Sequence, residues 1–96
     1  MKVPISNQHN ITLAPDVLVQ ELSGESVLLN LKSEEYFGLD EVGSRMLSVL
    51  TDSASIQEAS DRLLEEYEVE PDKLHQDLLE LIEKMVDQGL VTVNPA

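Results

Sequence analysis

The sequence predicts an α+β domain in which a three-stranded antiparallel sheet is followed by three helices. Three observations lead to this class: short apolar runs separated by polar turn residues come first, apolar residues at helical spacing come later, and no segment repeats. Strands followed by helices are typical of α+β domains, and a chain of 96 residues suffices for one domain.

The strands are predicted from three runs rich in Val, Leu and aromatic residues. Polar segments that contain Ser, Gly, Lys or Glu separate these runs, and such segments favour turns. Three short strands joined by three-residue turns make an antiparallel meander. The predicted strands span residues 17–22, 27–31 and 35–39, and the predicted turns span residues 23–25 and 32–34.

The N-terminal segment has a different character. Residues 1–10 are polar and lack periodicity, so we expect a flexible arm there and a folded domain over residues 11–93. Residues 11–14 form a short apolar run that Pro15 ends, which predicts one further extended segment.

Two capping patterns mark the first two helices. Asp40 precedes apolar residues at helical spacing and fits an N-cap, and residues 51–53 are expected to break that helix. Ser55 and Glu58 form a capping box, in which the serine side chain accepts a hydrogen bond from the third residue's N–H and the glutamate returns one. The second helix is expected to end near Tyr67.

The third helix is predicted from its two ends. Pro71 fits the first helical position, where its missing N–H costs nothing. Gly89 fits the position just after the helix, where a left-handed backbone conformation is common. Residues 90–93 then look extended and are expected to end the fold as a short tail.

The charge balance excludes one class of partner. Six basic residues against nineteen acidic ones give a formal net charge of −13. Because proteins bind the polyanions DNA and RNA largely through Lys and Arg, we expect no nucleic acid partner. A DNA-reading helix would be basic, but residues 71–88 have only Lys73 and Lys84 as basic residues.

Cysteine content and hydropathy limit the remaining classes. The absence of cysteine excludes disulfides, thiolate metal sites and a cysteine nucleophile, and it fits a cytoplasmic protein. No window approaches 18 apolar residues, so we expect no membrane span, and the first residues lack the apolar region of a signal peptide.

No arrangement of residues predicts an active site. His9 lies in the arm and His75 on the third helix, and neither has a second ligand at metal spacing. The acidic residues sit on polar helix faces, whereas acid–base catalysis needs a desolvated pair in a cleft. We therefore expect a protein that is not an enzyme and that holds no metal and no cofactor.

The third predicted strand leaves one edge of the meander free. A free edge exposes unpaired N–H and C=O groups and is a template for an added strand. Gly38 would let another backbone approach closely at this edge. A tight bend before the first helix is an equally good explanation for a single glycine.

The third helix carries more apolar surface than one core requires. A helix that lies on a single core needs one stripe about 100° wide. Two rows indicate that one faces the core and the other lines a groove beside the free strand, or that the second row packs on Val91, Val93 and the first helix. The first row is Leu74, Leu78, Leu81 and Met85, and the second row is Leu79, Ile82 and Val86.

Several short segments resemble the PqqD family, in an order that covers roughly residues 11–93. Within the family the sequence is most similar to stand-alone B1 proteins of lasso peptide clusters, whose run Y-[YF]-G-L-[ND]-x-x-G is matched here from Tyr36 to Gly43. The one departure is Asp40, where asparagine is common, and both residues are good N-caps. The matching segments are Val27-Leu28-Leu29-Asn30-Leu31, residues 35–43, Ser55-Ile56-Gln57-Glu58, residues 64–69 and Gln88-Gly89-Leu90-Val91.

The resemblance implies a winged helix-turn-helix fold that acts as a recognition element for a ribosomally made precursor peptide. In such proteins the leader segment of the precursor adds as an antiparallel strand to the third strand and packs against the third helix. In lasso peptide systems the element delivers the precursor to a separate cysteine leader peptidase of the B2 type. In the PQQ branch the partner is a radical SAM enzyme instead. Lasso leaders of this kind resemble Tyr-x-x-Pro-x-Leu.

Transferred to this sequence, the resemblance implies a peptide-binding site on one strand and one helix. Acidic residues such as Asp77 could meet a lysine of the leader. The implied peptide-binding residues are Glu35, Tyr36, Phe37, Gly38 and Leu39 on the strand, and Leu74, Asp77, Leu78, Leu81 and Ile82 on the helix.

Overall fold

The computed structural model describes residues 5–95, and in that part of the chain five strands and three helices follow one another. A meander followed by three helices is present, so the predicted α+β class is confirmed. The strands are β1 (Asn10–Leu13), β2 (Val17–Leu22), β3 (Glu25–Asn30), β4 (Glu35–Leu39) and β5 (Val91–Asn94), and the helices are α1 (Glu41–Asp52), α2 (Ile56–Glu66) and α3 (Pro71–Asp87).

Strands β2, β3 and β4 form the predicted meander, and each pairs antiparallel with the next. The turn between β2 and β3 is shorter than predicted. Ser23 and Gly24 both have positive φ, 54° and 86°, as a two-residue type I′ turn requires. Strand β3 therefore begins at Glu25 instead of residue 27.

Strands β1 and β5 form a separate two-stranded ribbon. The sequence predicts extended structure for both segments and a short tail at the end of the fold, but it does not predict that the two segments pair with each other. Ile11 lies opposite Val93, and Ile11 and Val91 are buried. The ribbon therefore closes one side of the core.

The predicted N-terminal arm lies partly outside the described residues. In its described part, two backbone hydrogen bonds join it to the start of α2. The N–H of Ile56 donates to the His9 carbonyl at 2.8 Å, and the N–H of Gln57 donates to the Asn7 carbonyl at 3.0 Å. These bonds satisfy two of the first amides of α2, which have no partner inside their own helix.

Both predicted N-caps are present. Asp40 Oδ1 accepts a hydrogen bond from the N–H of Gly43 at 2.8 Å, and Ser55 Oγ accepts one from the N–H of Glu58 at 3.1 Å. The Glu58 carboxylate accepts from the N–H of Ala54, one residue before the cap. The capping box therefore closes one residue earlier than the standard form.

The observed helix ends agree with the predicted ones except at the C-terminus of α1. Helix α1 continues through Asp52 instead of breaking at residue 51, and Ser53 closes it by donating its hydroxyl to the Val49 carbonyl at 2.6 Å. Gly89 has a positive φ of 70°, as predicted, and Leu90 donates its N–H back to α3.

The core is aliphatic, as the scarcity of aromatic residues requires. Helix α1 packs on β1, β3 and β4, while α3 packs on α2 and β5. Leu78, Ile82 and Met85 of α3 have no exposed surface. One polar pair lies inside this core, where the hydroxyls of Ser26 and Ser44 hydrogen-bond to each other and join β3 to α1.

A bidentate ion pair joins α1 to α2. Arg45 donates from Nε and Nη2 to the two carboxylate oxygens of Glu66, at 2.8 and 2.7 Å. The hydrogen bonds from Arg45 hold the pKa of the Glu66 carboxyl below its ordinary value. The two side chains are 44% and 35% exposed, so solvent screens the ion pair.

Replacing Glu66 with glutamine should lower the melting temperature slightly at neutral pH. Because the folded pKa of Glu66 is lowered, the pair stabilises the fold above the ordinary carboxyl pKa and loses this effect as the pH falls through the lowered value. Thermal unfolding of E66Q and the unmodified protein, measured from neutral to acidic pH, checks this. The two curves should converge in acid, and a constant gap would contradict the assignment.

Candidate functional site

The free edge of β4 is the first component of the site. The sheet order is β2-β3-β4, and within residues 5–95 no strand pairs with the outer side of β4. In a hairpin with a two-residue turn, the residues that flank the turn form a hydrogen-bonded pair, and bonded and non-bonded pairs then alternate. Leu22 and Glu25 are that first pair, so Ser26 and Leu28 of β3 direct their backbone groups toward β4.

The same alternation decides which residues of β4 face the free edge. Phe37 and Leu39 lie opposite Leu28 and Ser26, so their backbone groups bond to β3. Tyr36 and Gly38 therefore direct their N–H and C=O groups outward, away from the sheet. The free edge of β4 offers two donors and two acceptors to an added strand.

Gly38 leaves its surroundings open. The strand runs through Gly38 to Leu39, and its φ is not positive, so the alternative of a tight bend does not apply. A Cβ built at Gly38 would meet no atom within 4 Å. The neighbouring Tyr36 side chain is 75% exposed on the same face. Nothing in the described part of the chain covers this strand from outside.

A cleft between α1 and α3 is the second component of the site. It lies where β4 ends and α1 begins, and its volume is about 240 Å³. Phe37 and Leu39 point to this helix side of the sheet, so side chains of an added strand that lie beside them point the same way. The cleft is lined by Asp40, Val42, Gly43 and Met46 from the start of α1 and by Asp77, Glu80, Leu81 and Lys84 from α3.

The residues predicted on α3 separate into two groups. Asp77 and Leu81 line the cleft, and both are only partly buried. Leu74, Leu78 and Ile82 are at most 3% exposed and belong to the core. These three side chains pack into the core and are almost inaccessible to solvent in this structure. Their contact with a peptide therefore stays a prediction.

Sequence reasoning missed the α1 wall and part of the α3 wall of the cleft. Val42, near the start of α1, is 45% exposed because it lies at the cleft. Glu80 and Lys84 follow Asp77 by three and seven residues, so they share its face of α3. That spacing was visible in the sequence and is the signal that would have found them.

The outer face of the meander is a second exposed surface, separate from the cleft. It is the side turned away from the helices. By the strand register, its apolar side chains stand in cross-strand rows. These side chains are Leu18, Leu22, Val27 and Tyr36, which are 56%, 64%, 39% and 75% exposed.

No group of three or more His, Asp or Glu side chains in the described part of the chain is placed to hold a metal ion. Of the helices in residues 5–95, none combines the length and hydropathy of a membrane-crossing segment.

The meander, its free edge and the adjoining cleft define a small α+β domain with an open strand beside a helix. The chain belongs to the PqqD family: the family model described as coenzyme PQQ synthesis protein D matches residues 25–91. This match covers β3, β4, all three helices and the first residue of β5. No curated protein matches the chain significantly.

Two solved structures are similar to this chain over most of its length. TbiB1, in complex with the TbiA(beta) leader peptide, is 32% identical with a TM-score of 0.77, over 82% of this chain and 92% of TbiB1. A lasso peptide synthetase B1, complexed with the leader peptide, is 26% identical with a TM-score of 0.79, over 86% of this chain and 98% of that one. The resemblance to the B1 branch of the family is thereby confirmed.

Proposed function

We propose that this chain binds the leader segment of a ribosomally made, lasso-type precursor peptide and presents it to a leader peptidase. The leader adds as an antiparallel strand along the free edge of β4, and its side chains enter the cleft between α1 and α3. The observation that carries the proposal is this open edge beside a cleft, in a chain similar to two B1 proteins solved with leader peptides.

The magnitudes are consistent with a specific complex. Tyr36 and Gly38 offer up to four backbone hydrogen bonds, each contributing about 0.5–1.5 kcal/mol. Two or three apolar anchors contribute about 1.5–3 kcal/mol each, and association and ordering cost much of this gain. The remainder corresponds to an affinity near micromolar, about −8 kcal/mol.

The proposal extends to the fold class, to a non-catalytic role and to a cytoplasmic location. We assign the three helices and the meander to the winged helix-turn-helix class, with α2 and α3 joined by residues 67–70. The protein binds the leader and delivers the precursor, and the separate cysteine peptidase of the B2 type removes the leader. We expect both to act in the cytoplasm, where the ribosome makes the precursor.

A PqqD-type peptide chaperone that serves a radical SAM enzyme is the alternative. It uses the same edge and cleft, so the two functions differ only in the precursor and the client enzyme. Both similar structures favour the lasso function, because each is a B1 protein in complex with a leader peptide.

The direct test is the affinity of the purified protein for a labelled leader peptide from the precursor encoded beside it. Fluorescence anisotropy should give a dissociation constant near micromolar or tighter, and a scrambled leader of the same composition should not bind. Equal binding of both peptides, or binding of neither to a protein whose circular dichroism shows the expected fold, would contradict leader recognition.

We further propose that the peptidase docks on the outer face of the meander. Leader binding uses the edge and the helix side of the sheet, so this apolar face stays accessible in the complex. Exposed apolar surface of this extent on a small protein is typical of a protein interface. The net charge of −13 disfavours a second copy of this chain as the occupant and favours a partner whose rim is basic.

Leu18→Glu should separate the two activities. Leu18 lies on β2, two strands away from the free edge of β4, so leader affinity should change less than about twofold. Leader removal by the peptidase encoded with the precursor should slow by about tenfold or more, because a charge enters an apolar interface. Val69→Glu, at a similarly exposed apolar residue outside this face, is the control. Equal cleavage rates in all three proteins would locate the docking surface elsewhere.

A further inference from the structure

One face of α3 gives the cleft its chemical character. Asp77, Glu80, Leu81 and Lys84 are spaced at i, i+3, i+4 and i+7, so they lie in line along the helix. Three of these four side chains are charged, although they border a cleft next to the core. The opposite wall, from α1, is mostly apolar.

The cleft combines an aliphatic floor with an acidic rim. Met46 lies at the bottom and is 6% exposed, and the half-buried Leu81 and the exposed Val42 stand on either side. Asp77 and Glu80 line the same cleft from α3, where the Glu80 carboxylate accepts a hydrogen bond from Gln76 Nε2 at 3.4 Å. A purely aliphatic side chain would contact the floor but would bring no positive charge to the two carboxylates.

Asp77 already binds an ammonium group. Its carboxylate accepts from Lys73 Nζ at 3.2 Å, in a pair whose side chains are 68% and 39% exposed. A pair this exposed is weak, so another cation can replace Lys73 at little cost. Across the cleft, Asp40 caps the first amides of α1, which leaves that helix end with little attraction for an anion.

Resting on the proposed function, we propose that the cleft selects a lysine or arginine of the leader. The methylene stem of this side chain lies on Val42, Met46 and Leu81, and its cationic head reaches the carboxylates of Asp77 and Glu80. Long basic side chains bind in this way because they bury their stems while their charged ends stay near water.

The direction of the added strand places this residue within the leader. The cleft lies at the Leu39 end of β4, and an antiparallel strand brings its own N-terminal part to that end. The basic residue therefore lies at the N-terminal side of the segment that pairs with β4. The rest of the precursor leaves past Glu35, at the opposite end of the strand.

The test uses the leader of the neighbouring precursor and a set of single replacements in it. Each Lys or Arg is replaced in turn by norleucine, which keeps an aliphatic stem and removes the charge. One replacement, on the N-terminal side of the pairing segment, should weaken binding by about two- to fivefold, as expected for a partly exposed ion pair. The loss should shrink as salt concentration rises.

Variants of the protein give effects of opposite sign, which unfolding cannot imitate. Asp77→Asn and Glu80→Gln should each weaken binding of the natural leader by about two- to fivefold, whereas Lys84→Gln should strengthen it by about twofold, because it removes the cation that lines the cleft. The norleucine leader should bind all three variants and the unmodified protein alike.

The outcomes separate this inference from the proposed function. If the natural leader binds but has no basic residue on that side, or if norleucine and the three variants change nothing, the basic-residue inference is overturned and leader recognition stands. If the natural leader does not bind the folded, unmodified protein, leader recognition itself fails and the inference fails with it.

Discussion

Replacing Gly38 with proline should weaken leader binding strongly while the domain stays folded. The strand register directs the N–H of Gly38 to the free edge, so proline removes a donor that the sheet itself does not use. A leader carbonyl then loses its partner as it leaves water, which costs about 1–3 kcal/mol. Affinity should fall by roughly 5- to 150-fold.

Two neighbouring variants isolate the donor as the cause. Gly38→Ala keeps the N–H, and its Cβ meets no atom within 4 Å, so it should bind the leader nearly as well as the unmodified protein. Phe37→Pro removes an N–H that bonds to β3, so it should lower the melting temperature because it breaks the sheet. Retained leader affinity in a folded G38P protein would exclude strand addition at this position.

The strands of the meander could be predicted because their signals are local. Residues 17–22 and 35–39 are strands within the bounds that their composition and turn residues indicate. The error at the start of β3 arose because Ser23 takes a positive φ that a non-glycine residue rarely adopts, and this shortens the turn. The strand also ends at Asn30, one residue before its predicted end. The ribbon of β1 and β5 could not be predicted in this way, because its two strands come from opposite ends of the chain.

The sequence indicates the free strand edge of the candidate site, but it does not indicate which side chains of α3 are accessible beside that edge. The free edge follows from the order of three hairpin-connected strands, which the sequence indicates. The helical period of α3 shows that two apolar rows exist, but it does not show which neighbour covers each row. Leu78 and Ile82 are covered by the core, so the accessible wall is the adjacent face with Asp77 and Leu81.

Two leucines three residues apart on α3 should therefore respond in opposite ways to the same substitution. Leu78 has no exposed surface, so Leu78→Ala leaves a cavity that costs about 2–5 kcal/mol of stability and should lower the melting temperature by roughly 10–30 °C. At a temperature where this variant is still folded, its leader affinity should change little. Thermal unfolding and leader anisotropy, measured on the same samples, check both statements.

Leu81→Ala should instead reduce leader affinity more than stability. Leu81 borders the cleft and is only partly buried against the core, so its truncation should cost the fold less than the truncation of Leu78. The leader loses an apolar contact worth about 1.5 kcal/mol, which corresponds to roughly a tenfold weaker complex. The opposite result would be weaker leader binding by a fully folded Leu78→Ala protein and unchanged binding by Leu81→Ala. In that case the peptide would have to contact the buried Leu78, and α3 would have to move on binding. The pair of variants thus decides whether the cleft is already formed in the free protein or is opened by the leader.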